Sequence, residues 1–275
     1  MAALARAKRF DWSNLGVRAA SAAVLVPAAV AAAWFGGWAF LLLLSVGVAL
    51  LSLEWAAMAA PRAQVRVATG MTVVILAAVF TAWQGWFPIA WAVVAIGAAA
   101  GAVVARGTAE RPADAAFGVC YIAAPILCLM WLRHMPFGAQ WTLILFLVAW
   151  SADIAAYAVG STLKGPKLWP RFSPNKTWSG FIGGLAGAAL AGLGVAHFSE
   201  IPLVLVAGAF IGLIGGLATM AGDLLESMLK RRFGVKDSGD LIPGHGGLLD
   251  RVDGLMLAAV AFAGIRLIDH LGWAH

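Results

Sequence analysis

The stretch Trp178–Leu225, WSGFIGGLAGAALAGLGVAHFSEIPLVLVAGAFIGLIGGLATMAGDLL, contains two apolar runs, Trp178–Phe198 and Ile201–Leu225, parted only by Ser199 and Glu200. Each is about 20 residues long, the length that carries an α-helix across a bilayer. Glu200 and Asp223 are the only acids in the stretch, and it holds no Lys or Arg. It therefore predicts two membrane helices joined by a tight turn. Gly180, Gly184 and Gly187 in the first run, and Gly208, Gly212 and Gly216 in the second, recur at helical spacing. Small residues so spaced let helix backbones approach closely in lipid, so tight packing is their expected role.

The same ruler, applied to the rest of the chain, marks Val17–Phe35, Trp38–Ala60, Val67–Trp83, Ile89–Ala105, Ala115–Leu132, Ala139–Thr162 and Asp250–Leu271 as further spans. Gly36-Gly37, Pro61, Gln84-Gly85 with Pro88, Arg111-Pro112 and Pro136 punctuate them. Val17–Phe35 follows a basic leader and ends in alanines, like a secretory signal, but its apolar part exceeds the usual signal core. It is expected to be a retained first helix. The predicted fold is thus an all-α integral membrane protein, a polytopic bundle of about nine transmembrane helices with cytoplasmic catalytic loops. Residues 1–135 form an N-terminal transmembrane part of about five spans, and residues 136–275 a catalytic part of about four.

Composition agrees with that class. Of 275 residues, 62% are hydrophobic and 12% charged, with mean hydropathy +0.89; soluble domains run near 45–50% apolar and about 25% charged. Thirteen Trp against two Tyr suit interfacial anchoring. The net charge of +6 favours anionic partners. Its basic residues lie in short loops between apolar spans, which argues against nucleic acid. Cys120 and Cys128 lie eight apart on one predicted helix, about 12 Å along its axis, too far for a disulfide. Both are expected to be small apolar core residues.

Orientation follows from charge. With the amino terminus cytoplasmic, all of the 19 Lys and Arg except Arg133 and Arg266 fall on the cytoplasmic side, as the positive-inside rule expects. The two long polar connections, Lys164–Thr177 and Lys230–Leu249, are then cytoplasmic. Asp153, Asp223, Glu226, Asp237, Asp240, Asp250 and Asp253 gather function in the second half of the chain.

Asp250 and Asp253 stand three apart at the mouth of the last span, on one helix face. Asp223, near the end of the eighth span, offers a third carboxylate. Hard oxygen ligands without Cys or His point to Mg2+ or a similar ion, with room for a second cation; simple pairing with Arg251 and nearby lysines is the competing role. Lys236-Asp237-Ser238-Gly239 and Pro243-Gly244-His245-Gly246-Gly247 form a loop whose glycines permit close backbone approach to an anion. With Lys230, Arg231 and Arg232 it could cradle a phosphate chain, or contact lipid head groups. Ser173-Pro174-Asn175-Lys176-Thr177 places two hydroxyls and a lysine directly before a helix, a second phosphate site. Gly160–Lys167 only faintly echoes a nucleotide-binding loop, since Pro166 precedes the lysine and no strand leads in. Asp153 lies within the sixth span, where an unpaired acid is costly.

In this order the motifs resemble the phosphatidate cytidylyltransferase (CDP-diacylglycerol synthase) family. Its signature stands here as Ser227, Lys230, Arg231, Lys236, Asp237, Gly239, Pro243, Gly244, His245, Gly246, Gly247, Asp250, Arg251 and Asp253, with Asp153 and Ser173–Gly180 matching upstream elements. Ser179 departs from the Glu or Gln frequent at that place, and Asp240 and Gly254 are also atypical. The resemblance implies that CTP and phosphatidate give CDP-diacylglycerol and pyrophosphate, at a multi-pass inner-membrane enzyme whose site faces the cytoplasm. It implies a catalytic set of Asp223, Lys230, Arg231, His245, Asp250 and Asp253, with metal held by Asp223, Asp250 and Asp253. Asp153, Ser173, Lys176, Thr177, Ser227, Lys236, Asp237, Gly246, Gly247 and Arg251 would bind substrate, and family members are expected to be homodimers. A CTP-dependent polyprenol or phytol kinase, which would release CDP, is the nearest alternative; a transporter, suggested by the intramembrane acids, lacks the repeated halves common in that class.

Overall fold

The computed structural model describes residues 12–106, 111–199, 201–242 and 246–272. Expectations for Arg6, Lys8 and Arg9, and for Pro243, Gly244 and His245, fall outside the described residues. Nine α-helices occur among the described residues: α1 (Trp12–Phe35), α2 (Gly37–Ala59), α3 (Gln64–Trp83), α4 (Phe87–Val104), α5 (Pro112–His134), α6 (Gly138–Leu163), α7 (Trp178–Phe198), α8 (Leu205–Arg232) and α9 (Leu249–His270). Each overlaps an expected span, and Gly or Pro stands at most of the breaks between them. Gly36 turns between α1 and α2 at φ 67° and Gly85 between α3 and α4 at φ 87°, a backbone region glycine enters without a Cβ penalty.

Six of the helical segments are long and apolar enough to cross a membrane, and Ala20–Phe35 and Phe87–Val103 are shorter apolar helices. α9, which is not among the six, carries Asp250, Arg251, Asp253, Arg266 and Asp269. Large apolar side chains such as Leu42, Ile96, Ile182, Leu190 and Phe210 face outward. A soluble protein could not keep so many uncovered, and lipid covers them here. The chain is an all-α, multi-pass membrane protein.

Two differences from expectation bear on function. The connection between α6 and α7 is a small antiparallel hairpin, β1 (Lys167–Trp169) paired with β2 (Ser173–Thr177), where an irregular loop was expected. α8 runs on past Leu225 to Arg232, so Lys230 and Arg231 stand on a helix and not in a loop, as do Glu226 and Ser227 just before them. A third difference is local: Cys120 is exposed and Cys128 half-buried on α5, because the face of α5 carrying Cys120 turns out of the core.

The glycine spacing does what packing in lipid requires. A Cβ on Gly192 would lie 2.0 Å from the Gly208 carbonyl oxygen, and one on Gly212 would lie 2.2 Å from that of Ala188. On the other side of α7, a Cβ on Gly180 would meet the Ala156 carbonyl oxygen at 2.9 Å, and one on Gly184 that of Ala152 at 2.9 Å. α7 therefore touches both α6 and α8 backbone to backbone. Gly192→Val should destabilise the detergent-solubilised protein by about 1–3 kcal/mol through overpacking. Gly194→Ala, where a Cβ meets nothing within 4 Å, should leave thermal unfolding unchanged. Equal melting of the two variants would refute the close approach.

Helix ends predicted to share a side do meet. Arg133 at the end of α5 donates through Nε to the Ala33 carbonyl (2.9 Å) and through Nη2 to that of Trp34 (3.1 Å), satisfying carbonyls that α1 leaves open. Arg266 lies over the Trp141 ring at the same end of the bundle. At the opposite end, Arg232 of α8 pairs with Asp114 of α5.

Candidate active site

That second end gathers the candidate site residues. Thr177 closes β2 and caps α7: its Oγ1 accepts from the Gly180 amide at 3.1 Å, a common way for a threonine to start a helix. Thr177 Oγ1 and Ser179 Oγ lie 3.0 Å apart, and the Ser179 hydroxyl donates to the Lys164 carbonyl. The serine at this atypical position thus locks the hairpin. One residue before the cap, Lys176 reaches across to α8 and bonds Asp223 Oδ2 at 2.6 Å.

The pair borders a cavity of about 470 Å³ between α6, α7, α8 and the hairpin, lined by Asp153, Tyr157, Asn175, Lys176, Thr177 and Asp223 among others. Asp153 comes from α6, so three of the expected site residues outside the glycine-rich loop converge here with Asp223. A lysine ammonium has three donors, and Asp223 occupies one of those on Lys176.

α8 and α9 cross at glycine. A Cβ on Gly222 would lie 2.5 Å from the Asp253 carbonyl oxygen, and one on Gly254 would lie 3.0 Å from Asp223 Oδ1. The atypical Gly254 is what admits the Asp223 carboxylate beside α9. Asp253 accepts from the Gly254 amide at 2.8 Å and lies within electrostatic reach of Asp223, Glu226 and Lys176.

Asp250 faces elsewhere. Its Oδ1 takes a bond from Lys230 Nζ at 2.5 Å and its Oδ2 one from the Ser238 amide at 3.1 Å. Lys230 also meets Glu226 Oε2 at 2.7 Å, so its ammonium sits between two carboxylates, and only 14% of the side chain is exposed. The three acids expected to share a metal therefore divide into Asp223 with Asp253, and Asp250 with Lys230. No group of three or more His, Cys, Asp or Glu among the described residues is gathered as a metal site. The donor chemistry still suits a hard cation, because Mg2+ is usually held by one or two carboxylates together with substrate phosphates and water.

The other expected residues lie outside the lining of that cavity. Arg231, Lys236 and Asp237 are exposed, with Arg231 donating to the Val235 carbonyl at 3.3 Å. Ser227 is half-buried on α8 and Ser173 half-buried on β2. Gly246 adopts φ 82° and pairs with Ile242 as an isolated bridge, while Gly247 packs on Ser238 so closely that a Cβ would lie 1.9 Å from its hydroxyl. Arg251 is exposed on the first turn of α9.

Sequence inspection missed Glu54. This acid of α2 is 2% exposed, and its carboxylate accepts from the Leu248 and Leu249 amides, each at 2.7 Å. A lone acid in an apolar span was the available signal. Glu226 is one of the acids that gather in the second half of the chain, and the fold sets it 2.7 Å from Lys230.

Comparison with known proteins identifies the family of the chain. Residues 16–268 match the model of the Cytidylyltransferase family. The chain is 41% identical to a phosphatidate cytidylyltransferase of Brucella suis biovar 1 (strain 1330), over 90% of this chain and 91% of that protein. It is 43% identical to one from Synechocystis sp. (strain ATCC 27184 / PCC 6803 / Kazusa), over 46% of this chain and 43% of that protein. A Staphylococcus aureus (strain COL) phosphatidate cytidylyltransferase is 44% identical over 43% of this chain and 46% of its own length. The extent of these matches leads to one conclusion: the chain belongs to the phosphatidate cytidylyltransferase family.

Proposed function

We propose that this protein transfers the cytidylyl group of CTP to phosphatidate, giving CDP-diacylglycerol and pyrophosphate at the cytoplasmic face of the inner membrane. The observation that carries it is the Lys176–Asp223 pair, at 2.6 Å, bordering a cavity of about 470 Å³ that Asp153, Asn175 and Thr177 also line. Such a site puts cationic and acidic groups together where a lipid phosphate and a nucleotide can both reach.

A phosphate oxygen of the lipid attacks the α-phosphorus of CTP; a new P–O bond forms as the bond to pyrophosphate breaks. Both reactants are anions, so the site acts by positioning and by cancelling charge. Asp223 and Asp253 would hold Mg2+, which when bound would neutralise charge on the triphosphate. Lys176 keeps two donors for phosphate oxygens while Asp223 orients it. Asn175 and Thr177 line the same cavity and present amide and hydroxyl groups to the nucleotide. Arg231 and Lys236, exposed at the surface, raise the local concentration of anions. Lys230, bound by Glu226 and Asp250, has one donor left and chiefly holds α8 to α9. A homodimer, which family resemblance suggests, is tested by the mass of the detergent-solubilised enzyme.

The deciding assay is product analysis with purified enzyme, CTP and phosphatidate. Pyrophosphate released only with phosphatidate is expected; CDP release would instead identify a lipid kinase.

A further inference from the structure

We propose that Glu54 is a positioning residue for the active site: its carboxylate, carried on α2 in the other half of the chain, sets the start of α9 on which Asp250 and Asp253 stand. The proposal rests on the cytidylyltransferase reading of the site. Glu54 is the only acid of α2, near the end of that helix, and is almost wholly buried. A carboxylate is costly in an apolar span unless partnered, and its partners are specific. The Leu248 and Leu249 amides donate to its two oxygens, Oε1 and Oε2, at 2.7 Å each. The Ser238 hydroxyl approaches Oε2 at 3.4 Å.

Leu248 and Leu249 immediately precede Asp250, so these two bonds anchor the first turn of α9. A negative charge at a helix amino end is favourable, and hydrogen bonds to an ionised acceptor are strong and directional. The same carboxylate forces the loop to be small. A Cβ on Gly239 would lie 3.2 Å from Glu54 Cγ and 3.2 Å from Oε1. Ser238 meanwhile gives its amide to Asp250 Oδ2. Glu54 and Asp250 therefore grip the Ser238–Gly239 segment and the α9 start together, and the glycine-rich loop between them has its two ends fixed by one buried anion.

Glu54→Gln keeps length and one carbonyl oxygen but replaces the other acceptor with a donor. In the full-length purified protein it should lower kcat about tenfold or more, since small misplacements of catalytic groups are costly. Glu54→Ala should lower kcat further. Hydrogen exchange should rise over residues 246–252 in Glu54→Gln and not in α6 or α7, a pattern that general destabilisation would not produce. Gly239→Ala, which retains the carboxylate but pushes on it, serves if Glu54 variants do not fold: it should lower kcat with an unchanged unfolding temperature. Wild-type turnover controls for the reaction itself, and exchange is read without substrate, so a wrong reaction and a wrong positioning role give different results. Unchanged exchange in Glu54→Gln would overturn the proposal. Equally, kcat within twofold of wild type in Glu54→Gln, or in Gly239→Ala if the former does not fold, would overturn it.

Discussion

Asp223→Asn should reduce CDP-diacylglycerol formation by about 10²–10³-fold in kcat, the loss typical when one group stabilising transition-state charge is removed. Asp223 has two connections that no other acid among the described residues combines. It bonds Lys176 at 2.6 Å across the cavity, and its Oδ1 stands against Gly254 next to Asp253. The amide keeps the size of the side chain, and Lys176 can still donate to its oxygen, so the helices should stay assembled. What disappears is the charge. Asp253→Asn should have a similar effect, whereas raising Mg2+ should restore neither variant. Near-normal turnover of Asp223→Asn at saturating Mg2+ would remove these carboxylates from the proposed metal site.

Lys230→Met is expected to act on stability first. Lys230 Nζ lies 2.7 Å from Glu226 Oε2 and 2.5 Å from Asp250 Oδ1, and Glu226 is 1% exposed. Without the ammonium, two carboxylates face each other with little water to screen them. Breaking such a buried pairing typically costs about 3–5 kcal/mol. The unfolding temperature in detergent should fall by several degrees, and adding Glu226→Gln should recover part of the loss by removing one of the stranded charges. Loss of activity with unchanged unfolding would instead make Lys230 a direct phosphate contact, the role that motif resemblance suggested.

These two residues also mark how far the sequence could be read. Apolar length, Gly and Pro punctuation and the charge bias of the loops are local properties, so they located all nine helices and ordered their ends. The signature Ser227–Asp253 likewise named the candidate site residues, because residue types in fixed spacing carry their own chemistry. Pairing was not legible. Asp223, Asp250 and Asp253 look equivalent along the chain, yet helix crossing at Gly222 and Gly254 puts Asp253 beside Asp223, while Asp250 turns to Lys230.

From the sequence alone came a membrane bundle, its spans and a phosphate-handling segment, since hydrophobic length and residue chemistry need no partner to be read. Which carboxylate meets which lysine was decided by tertiary structure, as were the Lys167–Thr177 hairpin and the reach of Glu54 across the chain to Leu248 and Leu249. Those contacts depend on the distances between helices, and close approach at glycine sets those distances.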